Sequence, residues 1–242
     1  MCGRGALNYD WKTLWDWFDL PGAAPTGNLR RLNVAPSRRR HGQVEWTRLP
    51  VIRDQAPERR LDELAWPLVP HWLHGELPRF STANCRSEAD QPFSKTVGGK
   101  PAFRNAWKRA RRCVIPMSWF YEWDKRVSPS QPWRVLPRAE PLLAMAGLWD
   151  RSSGSDGAVV ESFTIVTTGP NRQLAEIGHD RAPVLLEKNQ VSTWLDAPPD
   201  AAEALVKPPP EDALRVEPIT RRVNNPGYQG DDLLGSAEGS EA

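Results

Sequence analysis

Apolar positions along the chain follow two periods. Between Asp10 and Phe18 they fall at helical spacing, Trp11, Leu14, Trp15 and Phe18, with Asp10 set to cap the first turn and Pro21-Gly22 set to stop the chain. The stretch PAFRNAWKRARR from Pro101 places Phe103, Ala106, Trp107 and Ala110 on one helical face and Arg104, Lys108, Arg111 and Arg112 on the others. It is predicted to dock on a core and offer its outer side to phosphates. Elsewhere the period is two. RLNVAPS reads as a short strand entering a turn, QVEWTRLPVI as a half-buried strand, and ELAWPLVPHW, with Pro67 and Pro70, as an edge strand or a strand breaking into a loop. CVIPMSWFYEW, LLAMAGLW, SFTIVTT, APVLL and LRVEP supply further strands. Short helices are expected around 173–177, 190–195 and 201–206, a loop tip at 152–157 and a disordered acidic tail at 235–242. The pattern predicts one α+β domain over residues 1–234, rich in antiparallel strands.

Composition narrows the class without naming a chemistry. At 242 residues, 39% hydrophobic and 26% charged, the chain can bury a sizeable core. No run of apolar residues is long enough to span a bilayer, and no basic-then-apolar leader opens the chain, so a soluble, cytoplasmic protein without membrane contact is expected. The net charge is only +2, yet the bases are clustered: Arg30, Arg31, Arg38, Arg39, Arg40 and His41 form one group, and Arg104, Lys108, Arg109, Arg111 and Arg112 another. Such groups fit either nucleic-acid contact or a solvated face. The 12 Trp, several beside Pro or basic residues, are expected to be mostly core with some left as stacking surfaces. Three cysteines, at 2, 85 and 113, show no metal-ligand spacing and argue against a disulfide framework or structural zinc.

Candidate chemistry begins at Cys2. Removal of Met1 would make it the amino terminus, with a thiol and an α-amine on adjacent carbons, and Gly3 lets the backbone bend away from both. The amine titrates near about 7.7–8.0 and the thiol near about 8.5, so both nucleophilic forms exist at neutral pH. The amine condenses with an aldehyde to an imine, and the thiolate then closes a five-membered thiazolidine with a high effective molarity. Taken alone, Cys2 equally fits an incidental small residue. Glu122 in WFYEW is either a desolvated acid suited to proton transfer or an acid alternating outward from a strand. His179 in GHDRAP is one of only four histidines. Asn84, Arg86 and Glu88 in TANCRSEA form a polar cluster or a capped turn, and Cys85 between them has the usual profile of a buried small hydrophobe.

Together these pieces resemble one family. MCGR at the start, LNVAPS at 32, WPLVPHW at 66, NCRSE at 84, PAFRNAWKRARRCVIPMSWFYEW at 101, FTIVTT at 163, HDRAPVLL at 179 and RRVNN at 221 look like the ordered motifs of the SOS response-associated peptidases, also called abasic-site processing proteins. The resemblance covers Met1 to about Leu234. It implies a barrel-like antiparallel sheet with flanking helices, and a protein that senses abasic sites in single-stranded DNA and links to them covalently through the mature Cys2. It further implies that Asn84 orients the Cys2 end, that Glu122 assists proton transfers to the imine, and that His179 promotes sugar-ring opening and reversal of the link. By the same resemblance Arg4 and Arg86 grip phosphates, Asn33 lines the site, and Trp72 with Leu73 disrupts base stacking. A lyase-like side activity by β-elimination and the peptidase assignment come with the family, as does action in the DNA damage response. No metal or organic cofactor is implied, and a monomer, nucleoid-associated if bacterial, is expected.

Three positions depart from the usual pattern: Pro67 stands for a Gly, Cys85 for an Ala and Trp119 for a Gly. Cys85 thereby adds a second thiol that could oxidise or compete for electrophiles. Two rivals remain on the residues themselves. A class II glutamine amidotransferase also begins Met-Cys-Gly and uses the freed Cys for acyl transfer, although no convincing glutamine-binding set follows here. A noncovalent single-strand binding module would use the Arg and Trp residues and leave Cys2 idle.

Overall fold

The computed structural model describes residues 3–55, 58–88 and 90–235. Cys2 and residues 236–242 of the expected tail lie outside the described residues. The strands are β1 (Gly5–Asp10), β2 (Asn28–Val34), β3 (Arg38–Arg40), β4 (Gln43–Glu45), β5 (Thr47–Gln55), β6 (Glu58–Trp66), β7 (Asn84–Arg86), β8 (Arg112–Met117), β9 (Trp119–Asp124), β10 (Gln131–Pro137), β11 (Leu143–Ser153), β12 (Val159–Thr168), β13 (Ala182–Pro183) and β14 (Leu214–Pro218). Among the described residues six short helices flank them: α1 (Trp11–Phe18), α2 (Phe93–Gly98), α3 (Pro101–Lys108), α4 (Arg172–Glu176), α5 (Val191–Asp196) and α6 (Pro199–Glu203).

The architecture is mixed α+β, as the resemblance implied. Strands β11, β8, β5, β6 and β12 pair in that order, and β12 returns antiparallel to β11 with Gly147 opposite Ile165 and Trp149 opposite Phe163, which closes a five-strand barrel. Gly147 permits that closure, since a Cβ there would stand 2.8 Å from the Thr164 carbonyl oxygen and overlap Ile115. Beyond the barrel the C-terminal half of β12 carries β7 in parallel and β13 antiparallel. The second sheet, in the order β14, β10, β9, β1, β2, is antiparallel throughout. Fully buried Trp66 and Phe163 stack at 6.1 Å inside the main core, while Ala6, Leu32, Trp119, Tyr121, Leu136, Ile219, Val223 and Leu233 form a smaller core on the other side of β9. Strand β9 therefore separates two apolar clusters, so both of its faces lose water.

Helix α1 begins where expected, with Asp10 Oδ1 accepting from the Thr13 N–H at 2.8 Å. ELAWPLVPHW follows the second of its two readings, a strand breaking into a loop and not an edge: β6 lies between β5 and β12, buries Leu64, Ala65 and Trp66, and then breaks at Pro67. One expectation needs correction. The basic helix stops at Lys108, because Ala110 takes a φ of 51° and turns the chain into β8. Arg112 is thereby buried and donates to the carbonyls of Trp194, Leu195 and Ala197 at the end of α5, while Arg111 pairs with fully buried Asp150. These two arginines satisfy internal acceptors, including a helix C-terminus that favours cations, and do not form the outward phosphate face expected of them. Among the tryptophans, Trp17, Trp66, Trp107, Trp119 and Trp194 are buried and only Trp72 is exposed. Among the described residues no helix is long and apolar enough to cross a membrane.

Candidate active site

Alternation along β9 sends Trp119, Tyr121 and Trp123 to the smaller core and leaves Phe120, Glu122 and Asp124 on the main-core side. Glu122 is thus 2% exposed. His179 meets it from the turn after α4: its Nε2 stands 2.5 Å from Glu122 Oε2 and its Nδ1 lies 3.0 Å from the Arg181 carbonyl oxygen. A carbonyl oxygen only accepts, so the contact with Arg181 is a hydrogen bond when Nδ1 carries the proton, which turns Nε2 toward the Glu122 carboxyl. An imidazole and a carboxyl at this distance are a combination capable of proton transfer.

The N-terminal strand leads toward this pair. In the β1–β9 register Gly5 faces Phe120 and Ala6 faces Trp119, and the Tyr121 N–H donates to the Arg4 carbonyl at 3.0 Å. Antiparallel pairing therefore sets Arg4 opposite Tyr121, next to Glu122 on β9. Arg4 donates through Nη1 to Asn33 Oδ1 at 2.9 Å and to the Val223 carbonyl at 2.8 Å, and through Nη2 to the Asn224 carbonyl at 3.2 Å. Burial and then the nearby positive charge of Arg38 lower its pKa from the ordinary value. Asn33 is buried and its amide donates to the Val223 and Asn225 carbonyls at 3.0 and 2.9 Å. The Asn33 side chain is thus committed to the turn at 221–225, whereas Arg4 keeps its Nε–H and one Nη2–H outside these bonds.

Asn84 and Arg86 alternate with Cys85 on β7. Asn84 is buried with an Oδ1 that has no hydrogen-bond partner among the described residues, and Arg86 is exposed. Cys85 points into the core, and burial pushes its thiol up to about 12, so it stays protonated at neutral pH and does not compete as a nucleophile. Arg181 binds this strand end to the histidine turn: its Nη2 donates to the Ser87 carbonyl at 2.6 Å and the Thr167 carbonyl at 2.9 Å, while its own carbonyl orients His179.

Trp72 and Leu73 occupy a single 3-10 turn, His71–Leu73, fixed by the Gly75 N–H donating to Ser152 Oγ at 2.8 Å. Trp72 is 40% exposed and stacks at 6.1 Å, with 20° between planes, on Phe80, itself 49% exposed. The segment is tied to the basic β3–β4 hairpin, where Arg39 Nη2 donates to the Leu77 carbonyl at 3.2 Å. Phe80 escaped the sequence reading. Its one signal is an isolated aromatic in the polar stretch LPRFST, outside any apolar period. Glu122 and His179 are thus in contact, Asn84 and Arg86 join them through Arg181, Arg4 and Asn33 join them through β1, and Trp72 with Leu73 is held beside the β3–β4 hairpin, whose Arg38 is near Arg4.

Known proteins share both the sequence and this fold. The family described as SOS response associated peptidase (SRAP) matches residues 1–226. The Bacillus subtilis abasic site processing protein YoaM is 33% identical over 239 residues, covering 97% of each chain. The abasic site processing protein HMCES of Xenopus tropicalis is 29% identical over 195 residues, 69% of this chain and 55% of its own. A crystal structure of a Bordetella bronchiseptica protein superposes with a TM-score of 0.70 at 25% identity, covering 90% of this chain and 100% of that one. One from Bacteroides thetaiotaomicron, at 19% identity, gives 0.74 with 98% and 100% coverage. With a family match over nearly the whole chain and a relative above 30% identity at full length, the chain belongs to the SRAP family.

Proposed function

We propose that this protein processes abasic sites in single-stranded DNA by capturing the open aldehyde of the lesion with the Cys2 amino terminus, so that a thiazolidine joins protein to DNA. The amine adds to the aldehyde carbon and the resulting hydroxyl leaves as water, giving an imine. The thiol proton passes to the imine nitrogen, the thiolate attacks the imine carbon, a C–S bond forms and the π electrons return to nitrogen, leaving it a neutral ring N–H. One water is lost overall. Glu122 and His179 move the protons: one is needed by the departing hydroxyl and another by the ring oxygen when the closed sugar opens. Asn84 orients the amine, and Arg86 with the remaining donors of Arg4 holds the flanking phosphates. At the imine stage, loss of a sugar proton with departure of the 3′ phosphate would cleave the strand, which is the lyase side reaction.

The observation that supports this most is the 2.5 Å contact of buried Glu122 with His179, on the strand along which β1 runs. The abasic-site processing names of relatives such as YoaM and HMCES support the substrate class. The test is a denaturing gel of protein incubated with an abasic single-stranded oligonucleotide and with the same sequence undamaged. A shifted band with the abasic strand alone, lost in Cys2→Ala and slowed in Glu122→Gln, is the expected result. A complex that dissociates in denaturant would overturn the covalent reading.

A further inference from the structure

Helix α4 has only five residues, too few to fix the turn that follows it by its own hydrogen bonds. The turn nevertheless carries His179. Its inner side is set by the His179 N–H donating to the Leu174 carbonyl at 2.9 Å. Its outer side is held from β9. Asp124, on the same face as Glu122 and two residues further along, accepts from Arg126 Nε at 2.9 Å and from its Nη2 at 2.8 Å, and that same Nη2 donates to the Glu176 carbonyl at 2.6 Å. Asp124 also accepts from the Arg126 backbone N–H at 2.9 Å, so the loop after β9 is folded around the carboxylate. Arg126 in turn holds the Asp124 carboxyl down to about 2. Gly178, at φ +74°, lies against both: a Cβ there would stand 2.6 Å from Arg126 Nε and 3.0 Å from Asp124 Oδ1.

We propose that Asp124 and Arg126 are positioning residues that hold the His179 turn against β9 and so set the imidazole in register with Glu122. The inference rests on the reading of Glu122 and His179 as the proton-transfer pair. One strand carries the acid and, about 7 Å along it, the anchor for its partner's backbone; a glycine between anchor and imidazole lets the two approach. Arg126 is suited to this because its planar fork bonds a carboxylate and a carbonyl at once, which a lysine cannot do with the same geometry.

The experiment is single-turnover cross-linking to an abasic single-stranded oligonucleotide over a range of protein concentrations, with Arg126→Ala, Arg126→Lys, Asp124→Asn and His179→Ala, beside the side-chain NMR spectrum of nitrogen-15 histidine-labelled protein. The Arg126 side chain is 58% exposed, so its removal is compatible with folding. Arg126→Ala is expected to lower the maximal rate about tenfold or more at an unchanged half-saturating concentration, with Arg126→Lys recovering part of it. The His179 Nδ1–H resonance, assigned by its absence in His179→Ala, should broaden in Arg126→Ala. Rates within twofold of the parent for both Arg126→Ala and Asp124→Asn, while His179→Ala is slow, would overturn the inference. Should His179→Ala itself be fast, the proton-transfer reading fails; the resonance then decides the positioning role alone, broadening upholding it and an unchanged signal refuting it.

Discussion

Replacing Asn33 by Ala separates two roles for this residue, as a wall of the DNA site or as an internal tie. Its side chain accepts from the Arg4 guanidinium and donates to the Val223 and Asn225 carbonyls, in a setting only 3% exposed. A hydrogen bond from a charged donor contributes about 1.5–3 kcal/mol and each neutral one about 0.5–1.5. Val223 keeps its bond from Arg4, which softens the loss, so about 3 kcal/mol is the expected cost. For a domain of this length that is on the order of 6–12 °C in Tm. The assay is thermal and urea unfolding of parent and Asn33→Ala, paired with binding to undamaged single-stranded DNA. A large stability loss, with residual affinity in the fraction still folded, is expected. A variant with parental Tm and sharply weaker binding would refute the reasoning and return Asn33 to the DNA surface.

Other outcomes follow from the same geometry. Burial, and then the adjacent Asp196 carboxylate, raise Asp54 to about 6 against the opposing pull of Arg59; a raised acid contributes stability that is complete below its unfolded value near 3.8 and is lost as pH rises through about 6. Asp54→Asn should therefore be more stable than the parent above pH 6, by roughly 1 kcal/mol after allowance for partial solvation, with the advantage fading toward pH 4 in urea titrations; an advantage independent of pH would contradict the assignment. Trp72→Ala and Phe80→Ala should each weaken single-strand binding about tenfold, since base stacking on an aromatic contributes about 1–3 kcal/mol, and unchanged affinity in a fluorescence titration would remove the pair from the binding surface. Native protein at pH 8 should leave Cys85 and Cys113 unmodified by iodoacetamide, because burial raises both thiols, and Cys85→Ala should cross-link at the parental rate.

How far the sequence reached depends on the range of the forces involved. Helix α1 was legible because its cap and its apolar face are local, Asp10 and Leu14 deciding it within a few residues. The barrel came from the family resemblance and not from the apolar pattern, since its closure depends on Gly147 meeting Thr164 across two strands. The alternation of WFYEW could not tell whether Glu122 turned outward or inward, because β9 is covered on both faces by clusters that assemble from distant segments. The basic run at 108–112 misled for a related reason: Ala110 at positive φ ended the helix, and Arg112 found its acceptors some 80 positions along, at Trp194 and Leu195. Asn84, Arg86 and His179 were named from motifs, whereas the Arg181 bonds that bring their segments together appear only in three dimensions.

The central claim is a thiazolidine at Cys2, and intact-mass spectrometry before and after sodium borohydride tests it most directly. Parent protein incubated with an abasic single-stranded oligonucleotide should lack Met1 and gain the oligonucleotide minus one water, with no change on reduction because a closed ring offers no imine to reduce. Cys2→Ala should show no such species without borohydride. An adduct of parent protein that gains two hydrogens on reduction would be an open imine, and an adduct that persists in Cys2→Ala would place the linkage elsewhere; either result contradicts the account.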